Sequence, residues 1–206
     1  IKDEKLINIS KLYNSDVNER HGKIIYSDDS NLKILFGSGF IPNDTNPEKL
    51  IIRSFPELNE EKIIMEKNRY GSIANFKNKI ITFPSAIINK EQNNPDLFQY
   101  NIETKKMIKV TNTIYEEWRP IVDNNGKIYY IANPEKQFDI YSNYKGVTKN
   151  VYSSQDDEWD PAIDPTDRWL IFSSKVNESW NLILLDLKNN KFKMITTEVD
   201  DDWDSQ

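Results

Sequence analysis

The chain has no cysteine among its 206 residues, which excludes disulfides, thiolate zinc sites and cysteine nucleophiles. That absence suits an oxidising compartment without requiring one. It has one histidine, His21, so a Ser-His-Asp triad or a histidine-based metal site would have to use it. Glycine is scarce at six residues, and the lone Gly-x-Gly, "FGSGF" at 36–40, lacks a following helix and reads as a loop rather than a dinucleotide fingerprint. Long apolar runs are missing too; stretches such as "KIIY" and "LILL" fall far short of the ~20 residues that span a bilayer. Nor is there an excess of positive charge. Lys and Arg number 27 against 33 Asp and Glu, a net charge of -6, with no basic cluster, so nucleic acid is not an expected partner. A basic partner, a cation or a neutral ligand fits the balance better. The chain opens on Ile1 with no apolar signal region and reads as processed or trimmed, any targeting signal lying upstream.

What is present points to a folded, strand-rich protein. Mean hydropathy is -0.71 and hydrophobic residues make up 37%, but aromatics reach 12%, more than disordered chains carry. The length suits one domain, or part of a larger one. No helical periodicity longer than two turns stands out.

A repeat organises the chain. "EEWRPIVDNNGKIYYIA" (116–132) and "DEWDPAIDPTDRWLIFS" (157–173) share a Trp followed at fixed offsets by Pro, Asp, a basic residue and an apolar one. These are Trp118, Pro120, Asp123, Lys127 and Ile131, then Trp159, Pro161, Asp164, Arg168 and Phe172. "RYGSIANFKNKIITFP" keeps the frame with Tyr70, Asn75, Lys79 and Phe83; "RHGKIIYSDDSNLKILF", from His21, is a looser copy with two extra residues. The chain ends on a fresh start, "DDDWDSQ", with Trp203. Starts near 21, 70, 118, 159 and 203 are spaced like four-stranded propeller blades of ~40–50 residues. Each period reads as a short inner strand, a turn (Asp123-Asn124-Asn125-Gly126 or Asp164-Pro165-Thr166-Asp167), a second strand, a polar loop and two more strands. The expected fold is all-β: a β-propeller of four-stranded antiparallel blades, four full and others partial, with residues 1–206 forming a single propeller or a segment of one.

The order acidic-Trp-x-Pro, hairpin turn, apolar strand ending in Ser and final "I-T" strand resembles the TolB-type β-propeller repeat, most specifically over 116–204, less so over 70–115 and least over 21–69. The resemblance implies a propeller, commonly of six blades, in the bacterial envelope: periplasmic or otherwise extracytoplasmic. Six blades of ~43 residues need roughly 260. This chain is therefore expected to be a fragment of a longer protein or to lack loops.

Because Trp118, Trp159 and Trp203 recur at one place in the repeat, they are expected to be structural, packing between blades. Pro120 and Pro161 are expected at the start of inner strands, where a missing amide donor is tolerable. The acids beside them, Glu116, Glu117, Asp157, Glu158, Asp201 and Asp202, fall at equivalent positions and are expected to form an acidic arc on one face. It is either a solvated rim or a docking surface for a basic partner. The loops between second and third strands vary most in length and are candidates for binding. No catalytic residues, metal ligands or cofactor are expected. The resemblance implies a non-enzymatic scaffold presenting a protein- or glycan-interaction surface. The alternative is the propeller of a larger hydrolase or polysaccharide lyase that gates or positions substrate. No Gly-x-Ser-x-Gly elbow is present.

Overall fold

The computed structural model describes residues 19–28, 31–38, 49–55, 59–63, 68–69, 75–87, 94–176 and 178–196. Among them there is no helix; all regular structure is strand. Sheet 1 has the order β1 (Glu19–Ser27), β2 (Leu32–Ser38), β3 (Lys49–Phe55), β4 (Glu60–Lys62). In sheet 2 the inner strand comes in two pieces, β5 (Asn68–Arg69) and β6 (Asn75–Lys77). Both pair with β7 (Ile80–Ile87), which is followed by β8 (Asp96–Asn101) and β9 (Met107–Lys109). Sheet 3 runs β10 (Glu117–Val122), β11 (Ile128–Ala132), β12 (Asp139–Tyr144), β13 (Val147–Tyr152). Sheet 4 runs β14 (Glu158–Ile163), β15 (Trp169–Val176), β16 (Ser179–Asp186), β17 (Lys191–Met194). Every pairing is antiparallel and, β5 with β7 apart, joins sequence neighbours, the up-and-down order of a propeller blade.

Alternation along these strands sends successive side chains to opposite faces, and where two described sheets meet their facing sides are buried. Three apolar clusters result, one per junction. Ile25, Leu35, Leu50 and Ile52 of sheet 1 meet Ile81, Phe83 and Phe98 of sheet 2. Leu97 of sheet 2 meets Val122, Ile128 and Tyr130 of sheet 3. Tyr129, Ile131 and Ile140 of sheet 3 meet Leu170, Phe172, Ile183 and Leu185 of sheet 4. Tyr129 and Tyr130 are adjacent residues serving opposite junctions, which is why both can be aromatic and both buried.

The Trp-x-Pro signature is a β-bulge. Trp118 pairs with Ile131 and Ile121 with Tyr129, so Arg119 and Pro120 together oppose one residue; Trp159, Asp160 and Pro161 repeat the arrangement. The middle residue takes the left-handed conformation, with φ 53° at Arg119 and 49° at Asp160. Pro120 and Pro161 thus sit inside the bulge, not at the first strand residue as expected from sequence; the bulge is where a ladder donor is dispensable. The loose first repeat has a matching cause. β1 carries two register shifts, one at Arg20/Lys23 and another at Ile24/Tyr26, where β10 and β14 carry one.

Two further expectations change. Within "FGSGF", Phe36, Gly37 and Ser38 belong to β2, with Gly37 paired to Leu50, so they are strand and not loop. The fixed-offset match of Ile131 to Phe172 slips by one. Asp123 closes its turn on Lys127, but Asp164 closes on Trp169, one residue later. Ser173, not Phe172, is therefore the partner of Trp159. Since the side-chain period is two, Ile131 faces sheet 4 while Phe172 faces back to sheet 3.

Phe172 is fully buried, with Tyr152 at 4.8 Å between ring centroids across the junction. Phe172→Ala is expected to cost about 3–5 kcal/mol, the range for large core truncations, measured by urea denaturation.

Candidate functional site

Antiparallel order puts the inner-strand starts and the connections from second to third strands at one end of every sheet. The turns after the inner strands lie at the other. At the far end, Asp123 and Asp164 explain the recurring turn aspartate. The Asp164 carboxylate accepts the N–H groups of Trp169 at 2.7 Å, Arg168 at 2.8 Å and Thr166 at 3.0 Å, and the Thr166 hydroxyl. The Thr166 hydroxyl and then the Trp169 amide hold its pKa down at about 2. Asn124 of sheet 3 ties this turn to its neighbour, donating to Asp167 and to the Pro165 carbonyl at 2.8 Å.

The near end carries the acids read as an arc, and the structure divides them. Of the described acids in the runs before Trp118 and Trp159, Asp156, next to Asp157, is the exposed one. Glu116 is half-buried, accepting the Trp118 indole N–H at 3.0 Å, while its own amide donates to Asn133 at 2.8 Å. Asp157 is half-buried and accepts the Phe138 N–H from sheet 3 at 2.9 Å. Glu117 and Glu158 leave the arc altogether; both are 0% exposed. Both turn to partners in the preceding sheet. Trp118, half-buried, faces the other way, toward sheet 4, as strand alternation dictates, whereas Trp159, half-buried, packs on Phe138 of sheet 3 beside Glu158. Asp201, Asp202 and Trp203 lie outside the described residues, as do Tyr70 and the His21 side chain.

Each buried glutamate closes a junction in the same way. The Glu117 N–H donates to the Pro95 carbonyl at 3.1 Å and the Glu158 N–H to the Phe138 carbonyl at 2.7 Å, joining each inner strand to the preceding sheet. The Glu117 carboxyl takes the Thr111 hydroxyl, whose oxygen accepts the Leu97 N–H at 2.9 Å. Oε1 of Glu158 accepts hydroxyls from Ser154 at 2.6 Å and Ser174 at 3.0 Å. An aspartate of the preceding sheet's third strand stands beside each: Asp96 by Glu117, Asp139 by Glu158. Burial pushes Glu117 up to about 7, against the pull of Thr111. Burial, with Asp139 adding to it, pushes Glu158 up to about 8 against Ser154 and Ser174.

The sequence reading missed these partners and one more pair. Arg119 and Asp160, the middle residues of the two bulges, meet across the junction at 3.0 Å, with side chains 28% and 12% exposed. Their shared place in the repeat was the available signal, hidden because the residue types differ. Among the described residues no group of three or more His, Cys, Asp or Glu is placed to hold a metal, and no helix is long and apolar enough to cross a membrane.

If Asp157 serves the junction, Asp157→Ala leaves the Phe138 amide without its acceptor and costs about 1–3 kcal/mol, whereas Asp156→Ala next to it stays within about 0.5 kcal/mol. Urea denaturation of the two variants is the check.

No protein-family model matches this chain, and no curated protein matches it in sequence. Solved structures do match. TolB from Acinetobacter baumannii superposes with a TM-score of 0.61 at 12% identity, covering 80% of this chain and 40% of that one. A putative TolB from Agrobacterium tumefaciens gives 0.59 at 12% identity, covering 88% of this chain and 82% of that one. Puromycin hydrolase gives 0.67 at 10% identity, covering 88% of this chain and 30% of that one. The chain thus spans less than half the length of the first and third of these proteins and most of the second. At such identities the likeness concerns fold, and the fold is that of a TolB-like β-propeller.

Proposed function

We propose that the chain is a non-catalytic β-propeller binding module, one propeller or a segment of one over residues 1–206. It presents a protein- or glycan-interaction surface in the bacterial envelope, at the end of the sheets where the inner strands start. The observation that carries this reading is topological. β2 ends and β3 starts at that end with residues 39–48 between them in sequence, and β7 and β8 likewise with 88–95, whereas β15 and β16 are separated by 177–178 alone. Variable connections gathered on one end of a rigid scaffold are a usual way for a propeller to bind, and the Asn-rich sequence of these two offers hydrogen bonds without charge. Of the described acids before the tryptophans, Asp156 is exposed to a basic partner, while Glu116 and Asp157 are engaged in structural bonds; Glu135 and Glu178, in the connections at the same end, are exposed as well. Recognition by shape and neutral hydrogen bonds therefore carries more of this reading than charge does. An extracytoplasmic location rests on the fold likeness to TolB.

A second reading has support of its own. Puromycin hydrolase and an acylaminoacyl peptidase are among the fold relatives, and this chain covers 30% and 27% of them. On that reading the same end would gate or position substrate for a catalytic domain. The full open reading frame separates the two: a hydrolase or lyase domain in the same polypeptide overturns the first reading.

For the first reading, the chain is immobilised and probed with purified peptidoglycan fragments, an oligosaccharide panel and fractionated envelope proteins. Replacing 39–48 and 88–93 by Gly-Ser linkers is expected to abolish saturable binding. Substitution of Lys145 and Lys188, in turns at the opposite end, leaves it intact. Equal loss in both variants would remove the loop face as the binding surface.

A further inference from the structure

We propose that the junction between sheets 3 and 4 is a proton-held clasp: a single proton shared by the Glu158 and Asp139 carboxyls holds the two sheets together, and its removal loosens them.

The geometry demands a proton. Oε1 of Glu158 already accepts two hydroxyls, from Ser154 and Ser174, while Oε2 is buried with no donor. The group within reach is the Asp139 carboxyl, on the third strand of sheet 3. Two carboxylates are both acceptors and repel; one proton between them turns the repulsion into a hydrogen bond. No cation offers an alternative, since neither carboxyl enters an ion pair among the described residues. The charged and titratable groups around the pair are Glu135 and Asp157, which face Asp139, and Tyr152, which faces Glu158; all are acids. At the preceding junction the counterpart of Asp139, Asp96, is held by Lys109 at 2.7 Å, and Lys109 also lowers the Glu117 pKa. The uncompensated pair belongs to sheets 3 and 4.

The junction also has bonds that must part if the carboxyl moves. The Glu158 amide to the Phe138 carbonyl, the Phe138 amide to Asp157, and the Phe138 ring against Trp159 at 5.0 Å all lie within a residue or so of the pair. The sign follows from linkage. Glu158 is protonated in the folded state up to about 8 and in the unfolded chain only below its ordinary 4.5. Its contribution is complete below 4.5, falls as pH rises through that window and is lost above about 8.

Hydrogen exchange, corrected for the intrinsic pH dependence of exchange, is followed at pH 5.5 and pH 9 on peptides spanning 138–144 and 158–163. Protection in the wild-type chain should fall at least tenfold at the higher pH. Glu158→Gln, which is uncharged and keeps the shape of the acid, should hold its protection nearly constant, and peptides from β2 and β3, remote from both buried glutamates, should not respond in either protein. Parallel losses in wild type and Glu158→Gln overturn the proposal. Should that variant fail to fold, carbon NMR of the Glu158 carboxyl decides: titration near 8 supports the clasp and titration below 5 overturns it. Protection restored at pH 9 by 1 mM calcium chloride, and removed by EDTA, also overturns it, because the pair would then be a cation site.

Discussion

The structure depends on one contact made at each described junction into sheets 3 and 4, the amide of the first inner-strand residue bonded to a carbonyl of the preceding sheet. Pro95 accepts from Glu117 and Phe138 from Glu158. This bond fixes where a new sheet begins relative to the last. The bonded residue faces backward into the previous junction; Trp118 then faces the other way, toward sheet 4, while Trp159 stays at the bonded junction against Phe138. The glutamate is buried because of its register, and the serine, threonine and aspartate partners around it answer that burial.

Placing an acid in such a position has electrostatic consequences. A carboxyl without water must be neutral or matched by charge, and the two junctions differ in how they meet that demand. Lys109 compensates the aspartate at one. At the other only hydroxyls and another carboxyl are at hand. Exposed charge is correspondingly thin among the acids that precede the tryptophans. Acids that look like a solvated run in the sequence are mostly spent on indole, amide and hydroxyl partners. A partner surface there has more to gain from the connecting loops than from the acids.

The bulges add a second constraint. Holding Arg119 and Asp160 at positive φ costs backbone strain, of order 1–3 kcal/mol at each such residue. In return, both side chains reach each other between neighbouring inner strands. Pro120 and Pro161 suit the distortion because a bulged residue has no ladder bond to lose. The signature Trp-x-Pro is thus a backbone shape first and a set of side chains second.

The period of the repeat, its all-β character and the places of the third and fourth strands were legible in the sequence, because alternating apolar runs and turn residues are local signals. Asp164 as a turn former was legible for the same reason: its acceptors serve amides only a few residues ahead. Which acids were exposed was not. "EEW" and "DEW" look alike at each position, yet Glu116 and Asp157 meet solvent while Glu117 and Glu158 do not. The difference comes from the face each residue presents to a sheet that is distant in sequence. The equivalence of Ile131 and Phe172 failed on one extra turn residue, invisible as an error until strand pairing showed which face each took. Local pattern determined the elements; only the packing of one sheet on the next decided burial, charge state and partner, because those depend on residues a strand register brings together and the linear order keeps apart.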